Sequence, residues 1–264
     1  MEYCISHGIR YLRHFFRRKS KFDLHSPFVY KIYSRILQDK SHYREYEIVE
    51  RMRSTLFRDP GFIKMTDLGS GSPELEWNKK IIPVHKVVKK SCVPVNKGRL
   101  LFRIARHFQP SVILELGTSL GVSTSYLALG APDSQVITIE GCQETLDRAI
   151  HNFDRERIKN IRAIHSGFDE VLPYLLPELG YVDMVFFDGN HRKEATLNYF
   201  SICLPFVRDD TVFIFDDIHW SAGMESAWYE ICSHPEVKVT IDLFSVGLVF
   251  FREGLSKEDF LLGY

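Results

Sequence analysis

The chain has no apolar run near the roughly 20 residues that cross a bilayer. Its first residues, Met-Glu-Tyr-Cys-Ile-Ser-His-Gly-Ile-Arg, lack a signal-peptide apolar region. Cysteine is scarce, and Cys4, Cys92, Cys142, Cys203 and Cys232 stand apart with no Cys-x-x-Cys pair. That pattern excludes a disulfide framework and a zinc-finger spacing, and it predicts reduced thiols in a cytoplasmic protein. Internal repeats and low-complexity segments are missing as well. Net charge is also absent, with 34 Lys and Arg against 34 Asp and Glu. The 264 residues suffice for one large domain or a domain with an extension.

The zero total conceals an asymmetry. Residues 1–110 hold 23 Lys and Arg against 10 Asp and Glu, and residues 111–264 hold the opposite surplus. Either the two regions neutralise each other, or a basic surface recruits RNA, an anionic lipid or an anionic substrate. Tyr11, Leu12, Phe15 and Phe16 alternate with Arg10, Arg13, Arg17, Arg18 and Lys19. This reads as a basic amphipathic helix that docks on the domain, on a membrane or on nucleic acid. Ser26-Pro27 is a helix start, with Ser as cap and Pro in the first turn. Further helices are expected over 42–57 and 95–108. Asp67-Leu68-Gly69-Ser70-Gly71-Ser72 imitates a cofactor loop, but no apolar helix pattern follows it, so it reads as a loop.

From residue 111 onward strands and helices alternate. Strands are expected at 111–116, 135–140, 161–165, 182–187 and 211–216, with helices at 123–130, 143–153, 168–176 and 191–204. A repeated βα unit implies a parallel sheet with right-handed crossovers. The pattern then changes. The strand-like runs 237–244 and 247–251 are joined so closely that they must be antiparallel.

The most specific stretch is Val112-Ile-Leu-Glu-Leu-Gly-Thr-Ser-Leu-Gly121. An apolar strand ends in Glu115, turns at Gly117 and reaches Gly121 before a helix. The spacing is Gly-x-x-x-Gly, distinct from the Gly-x-Gly-x-x-Gly of dinucleotide binders. Glu140 ends the second strand, where a carboxylate accepts hydrogen bonds from ribose hydroxyls. Ser166-Gly167-Phe168-Asp169 follows the third strand, and Asp188-Gly189 the fourth. Ligands of such sheets bind outside the carboxyl ends of the strands.

With these motifs the chain resembles class I S-adenosylmethionine (SAM) methyltransferases. The resemblance implies an α/β, Rossmann-like seven-stranded sheet, parallel with a C-terminal antiparallel hairpin, preceded by a helical N-terminal region. It divides the chain into a basic extension or cap, 1–94, and a SAM-binding domain, 95–264. SAM is the expected cofactor, held by Glu115, Gly117, Thr118, Ser119, Gly121, Ser123, Glu140, Gly141, Ser166, Gly167, Phe168 and Asp188. Phe187-Asp188-Gly189-Asn190-His191 and Phe215-Asp216-Asp217-Ile218-His219-Trp220 are similar to motifs of cation-dependent O-methyltransferases, the catechol, caffeoyl-CoA and macrocin-type groups. The catechol-type enzymes carry Asn where this chain has Asp217. Three carboxylates in one crevice repel unless a cation joins them, so Asp188, Asp216 and Asp217 are expected to hold Mg²⁺ or another divalent cation. His191, with His219 as a second candidate, is the expected base beside Asp188. Trp220 and Trp228 are candidate walls for the acceptor. The expected partner is a small hydroxylated methyl acceptor, with a homodimer compatible. The alternatives are RNA as acceptor, a non-catalytic SAM-binding protein, and a nicotinamide dehydrogenase using Glu140.

Overall fold

The computed structural model of the chain describes residues 2–19, 24–65 and 81–264. The Asp67–Ser72 loop lies outside them. Along the chain come α1 (Glu2–Arg17), α2 (Pro27–Ile32) with a π-helical turn over Tyr33–Leu37, and α3 (Arg44–Arg58). A short antiparallel pair, β1 (Phe62–Lys64) and β2 (Ile81–Pro83), precedes α4 (Val84–Ser91) and α5 (Val95–Phe108). The alternating part is β3 (Val112–Leu116), α6 (Val122–Gly130), β4 (Gln135–Glu140), α7 (Gln143–Arg155), β5 (Ile161–His165) and α8 (Phe168–Leu179). It continues with β6 (Met184–Phe187), α9 (Lys193–Cys203), β7 (Val212–Asp216) and α10 (Ala222–Ser233). Three strands close the chain: β8 (Val239–Asp242), β9 (Val246–Phe250) and β10 (Glu258–Leu261).

The chain forms two compact units. Unit two is Asp39–Val171, and unit one joins Met1–Gln38 to Leu172–Tyr264. In unit two the strands pair in the order β3-β4-β5, all parallel. Helix α5 occupies the expected 95–108, burying Leu100, Leu101, Ile104 and Ala105. It stops at Gln109, which turns left-handed at φ 44°, followed by Pro110. Helices α3 and α5 pack on α6.

In unit one the order is β10-β8-β9-β7-β6. Strands β6 and β7 run parallel, β9 runs antiparallel to both β7 and β8, and β10 is parallel to β8. Every residue of β6 and β7 is buried, as expected for strands covered on both faces. The predicted C-terminal hairpin is present. Strand β10 goes beyond the seven expected, and its lone buried anchor is Phe260. Ser26 caps α2, its hydroxyl accepting from the Val29 amide at 3.4 Å. The mixed α/β fold with mostly parallel strands matches the expectation from sequence. Among the described residues no helix is long and apolar enough to cross a membrane, and Cys92, Cys142, Cys203 and Cys232 are free thiols, all buried.

Candidate active site

In unit two the functional residues gather at the carboxyl ends of β3 and β4. Glu115 is fully buried near the end of β3. Its Oε2 accepts from the Thr124 hydroxyl and from Thr138 Oγ1 at 2.7 Å. Thr118 Oγ1 lies 2.5 Å from Thr138 Oγ1. A hydroxyl carries one proton, so Thr138 donates to Glu115 and accepts from Thr118. The other oxygen, Glu115 Oε1, is buried without a hydrogen-bond partner. Burial pushes this carboxyl up to about 7; the neighbouring hydroxyls of Thr124, Thr138 and Ser123 offset only part of the desolvation.

The loop after β3 is shaped by its backbone. Gly117 and Gly121 have φ of 108° and 81°, and Ser119 reaches 47° without being glycine. A Cβ on Gly121 would overlap the Phe153 ring. The Ser119 amide donates to Glu140 Oε2 at 2.7 Å, and the Cys142 amide donates to Glu140 Oε1 at 2.9 Å. Burial raises the Glu140 carboxyl above its usual value against these amide bonds. Ser119 Oγ, like Glu115 Oε1, is buried without a partner. Gly141 follows Glu140, and its carbonyl lies 3.1 Å from His165 Nε2. Ser123 is buried in the first turn of α6. At the end of β5 the Ser166 amide donates to Glu140 O at 3.1 Å, and Gly167 and Phe168 open α8. The unit thus presents buried acceptors that lack donors beside a loop with no space for a side chain at Gly121. That setting suits a ligand that brings its own donors.

Unit one carries the second group. Asp188 follows β6, and His191 Nε2 lies 3.7 Å from its Oδ1. The imidazole is partly open to solvent, and Arg192 rather than His191 takes the N-cap position of α9. Asp216 ends β7 and is buried. Asp217 turns left-handed at φ 52°, donating its amide to Ser245 O at 2.8 Å. Asn190 after β6 is also left-handed, at 58°. Non-glycine residues in this region of backbone space cost free energy and collect at functional loops.

Two expectations find no support in the geometry. Among the described residues no three His, Cys, Asp or Glu side chains come together as a metal-binding group. Asp188 follows Phe187, whose strand partner is Phe215, so Asp188 and Asp216 leave neighbouring parallel strand ends, and Asp217 comes next in the chain with a left-handed backbone. His219, expected as a second base, is instead buried: Nε2 lies 2.7 Å from Asp242 Oδ2, Nδ1 lies 3.3 Å from Glu225 Oε1, and the Phe244 ring stacks on it. Trp228 is likewise a core residue against Phe215 and Gly247, while Trp220 is exposed. A groove of about 500 Å³ runs along α10, lined by Glu225, Ser226, Tyr229, Glu230 and His234, and contains none of the expected site residues.

Sequence reasoning misses Thr138, Thr124, Asp242 and His14. Thr138 is detectable as the polar residue inside the apolar strand Val136-Ile137-Thr138-Ile139. His14 and Asp242, 228 residues apart, carry no local signal.

Residues 114–218 match the methyltransferase domain family. Over 129 residues the chain is 33% identical to the catechol O-methyltransferase of Niastella koreensis, a match that covers 48% of this chain and 58% of that protein. A catechol O-methyltransferase of Mycobacterium tuberculosis is 28% identical over 134 residues, 50% of this chain and 59% of that protein. The chain thus spans less than two thirds of the length of these curated relatives. The O-methyltransferase TomG of Streptomyces achromogenes, solved in complex with SAM, superposes with a TM-score of 0.55 at 20% identity, over 84% of this chain and 95% of that one. The fold is that of methyltransferases. The resemblance to SAM-dependent O-methyltransferases stands on the sequence matches, and the structure adds the methyltransferase fold.

Proposed function

We propose that the chain transfers the methyl group of SAM to a hydroxyl oxygen of a small molecule. The observation that carries this reading is the pair of buried, unpartnered atoms Glu115 Oε1 and Ser119 Oγ in and beside a glycine-bounded loop. Bound SAM supplies an electrophilic sulfonium methyl together with an ammonium and two ribose hydroxyls. Glu115, with one oxygen already fixed by Thr124 and Thr138, suits the ammonium. Glu140 accepts the Ser119 amide on one oxygen and the Cys142 amide on the other, and a carboxylate's four lone-pair sites leave room for hydroxyls as well. Thr118, Ser119 and Ser123 line the loop, and Gly141, Ser166, Gly167 and Phe168 take the nucleobase end. The catechol O-methyltransferase relatives and the SAM complex of TomG support the choice of cofactor and of oxygen as acceptor atom. In this reading residues 95–264 are the SAM-binding domain and residues 1–94 an extension or cap.

His191 is the proposed base. It removes the acceptor's hydroxyl proton, and Asp188 at 3.7 Å stabilises the imidazolium that results. Holding acceptor and donor in line supplies much of the acceleration. Assistance by Mg²⁺ at Asp188, Asp216 and Asp217 is a finer proposal carried by motif resemblance alone, and no step of the transfer depends on it. Rate measurements with EDTA and with added Mg²⁺, on the native chain and on Asp217→Ala, decide it; indifference to both sinks it.

The test of the main reading is calorimetric titration with S-adenosylhomocysteine, followed by transfer of labelled methyl from SAM to a panel of catechols and small alcohols. Binding plus a labelled ether product is expected. Absence of binding overturns the reading, and binding without transfer to any acceptor identifies a SAM-binding protein that is not an enzyme.

A further inference from the structure

Helix α1 keeps a largely exposed apolar face, whose Tyr11 meets the rest of unit one edge-on at Phe244 with ring centroids 5.0 Å apart. Tyr11, Leu12, Phe15 and Phe16 are 48%, 54%, 40% and 80% exposed. At about 100° per residue these four share one side of the helix. The other side fastens the helix to the unit: His14 is buried against Asp242, and Arg10 Nε lies 3.2 Å from Glu225 Oε2. Arg13, Arg17 and Arg18 are exposed, and the Arg18 guanidinium sits 4.0 Å from the Phe15 ring centroid. Residues 10–19 contain no acidic side chain.

We propose that α1 docks on an anionic phospholipid surface. Leu12 and Phe16 enter the boundary between headgroups and acyl chains, while Arg13, Arg17 and Arg18 meet the phosphates. The charge pattern selects this occupant. A second copy seated on the same face would bring two sets of arginines together with no counter-charge between them. RNA would satisfy the arginines but would leave the aliphatic Leu12 without a fitting partner. A lipid interface satisfies both, since an amphipathic helix buries its apolar side and draws basic residues toward anionic headgroups. The attachment is reversible, because one short helix offers far less apolar area than a spanning segment.

The experiment is co-sedimentation of the full chain with phosphatidylcholine vesicles, with and without phosphatidylglycerol. Binding to the anionic vesicles, weakened by salt, is expected. Arg13→Ala with Arg17→Ala should weaken it roughly thirtyfold, about fivefold for each basic side chain. Phe16→Glu should abolish it while leaving the thermal midpoint unchanged, since the side chain is exposed. No binding to anionic vesicles overturns the proposal. So does a concentration-dependent dimer that Phe16→Glu dissociates, or a labelled RNA that binds the native chain but not the arginine variant while vesicles do not.

Discussion

His219 Nε2 lies 2.7 Å from Asp242 Oδ2, joining the loop after β7 to the end of β8 in the interior of unit one. His14 Nε2 stands 3.1 Å from the same carboxylate's Oδ1, and the Phe244 amide donates to that oxygen at 2.8 Å. Burial alone would raise the Asp242 carboxyl, but the two histidines outweigh it and hold it well below the usual carboxylate range. A depressed carboxylate contributes stability above its unfolded value near 3.8 and loses it as the pH falls toward the folded value. Asp242 therefore strengthens the fold at neutral pH and contributes to acid unfolding.

That setting separates the two candidate bases. His219→Ala strips a buried carboxylate of a partner and is expected to cost about 3 kcal/mol of stability. His191→Ala touches a partly exposed ring and should leave the unfolding free energy within about 0.5 kcal/mol of native. Its effect is expected on methyl transfer, roughly a hundredfold or more in kcat. Denaturant titration and turnover measured on both variants check the division. A stable, inactive His219 variant beside a fully active His191 variant would reverse the assignment.

Glu115 carries the opposite sign from Asp242. Its carboxyl sits at about 7 when folded, against 4.5 when free. The folded state then holds a proton that the unfolded chain has released, so stability falls as pH rises from 4.5 to about 7. Above that window the cost is about 3 kcal/mol. Glu115→Gln removes the charge, keeps the shape, and is expected to stabilise the ligand-free chain at about pH 8 while weakening S-adenosylhomocysteine binding at least tenfold, roughly the effect of a lost charged hydrogen bond. Melting and calorimetry at about pH 5 and about pH 8, on either side of the window, test this. Equal melting shifts at both pH values would show that the burial of Glu115 does not carry the cost.

Gly121 opens α6 at φ 81° with no room for a Cβ beside Phe153. Gly121→Ala meets both a left-handed backbone penalty of about 1–2 kcal/mol and the overlap with the ring. Loss of ligand affinity is expected to exceed the loss of stability, because the loop can shift more cheaply than the helix. Adding Phe153→Ala should return part of the affinity by relieving the overlap, leaving the backbone cost in place. If the double variant is no better than Gly121→Ala alone, Phe153 is not the obstacle.

The parts of this fold legible in sequence are those whose cause is local. The Gly117–Gly121 loop follows from residues that tolerate its backbone, and α5 matches 95–108 because a helical apolar stripe runs unbroken from Leu100 to Ala105. Strands β6 and β7 are legible as apolar runs. Strand β10 is not, since Glu258-Asp259-Phe260-Leu261 forms a strand only by pairing with β8. The opening Ala222-Gly223 of α10 likewise hides a helix whose apolar side is fixed by packing of Met224, Trp228 and Ile231. The strand-end carboxylates can be located from sequence, but their neighbours cannot. Asp216 and Asp217 are adjacent in the chain, yet Asp216 ends β7 while Asp217 takes a left-handed backbone at φ 52° that no glycine announces.

The docking of α1 rests on few contacts, which makes it measurable. Between Arg10 and Arg17, His14 is buried, Arg10 is partly covered and the other side chains are exposed. A histidine bonded to a buried carboxylate contributes about 2 kcal/mol, which corresponds to roughly thirtyfold in the population of the undocked helix. Trypsin needs an undocked, unwound segment to cut at Arg10, Arg13 or Arg17. His14→Ala should therefore speed cleavage at these sites by about that factor, while fragments from residues 81–264 appear no sooner. Leu12→Ala, on the exposed face, should leave the rate unchanged. Mass spectrometry of timed digests reads both outcomes. Equal cleavage of the native and His14→Ala chains would mean that the Asp242 contact does not hold α1 in place.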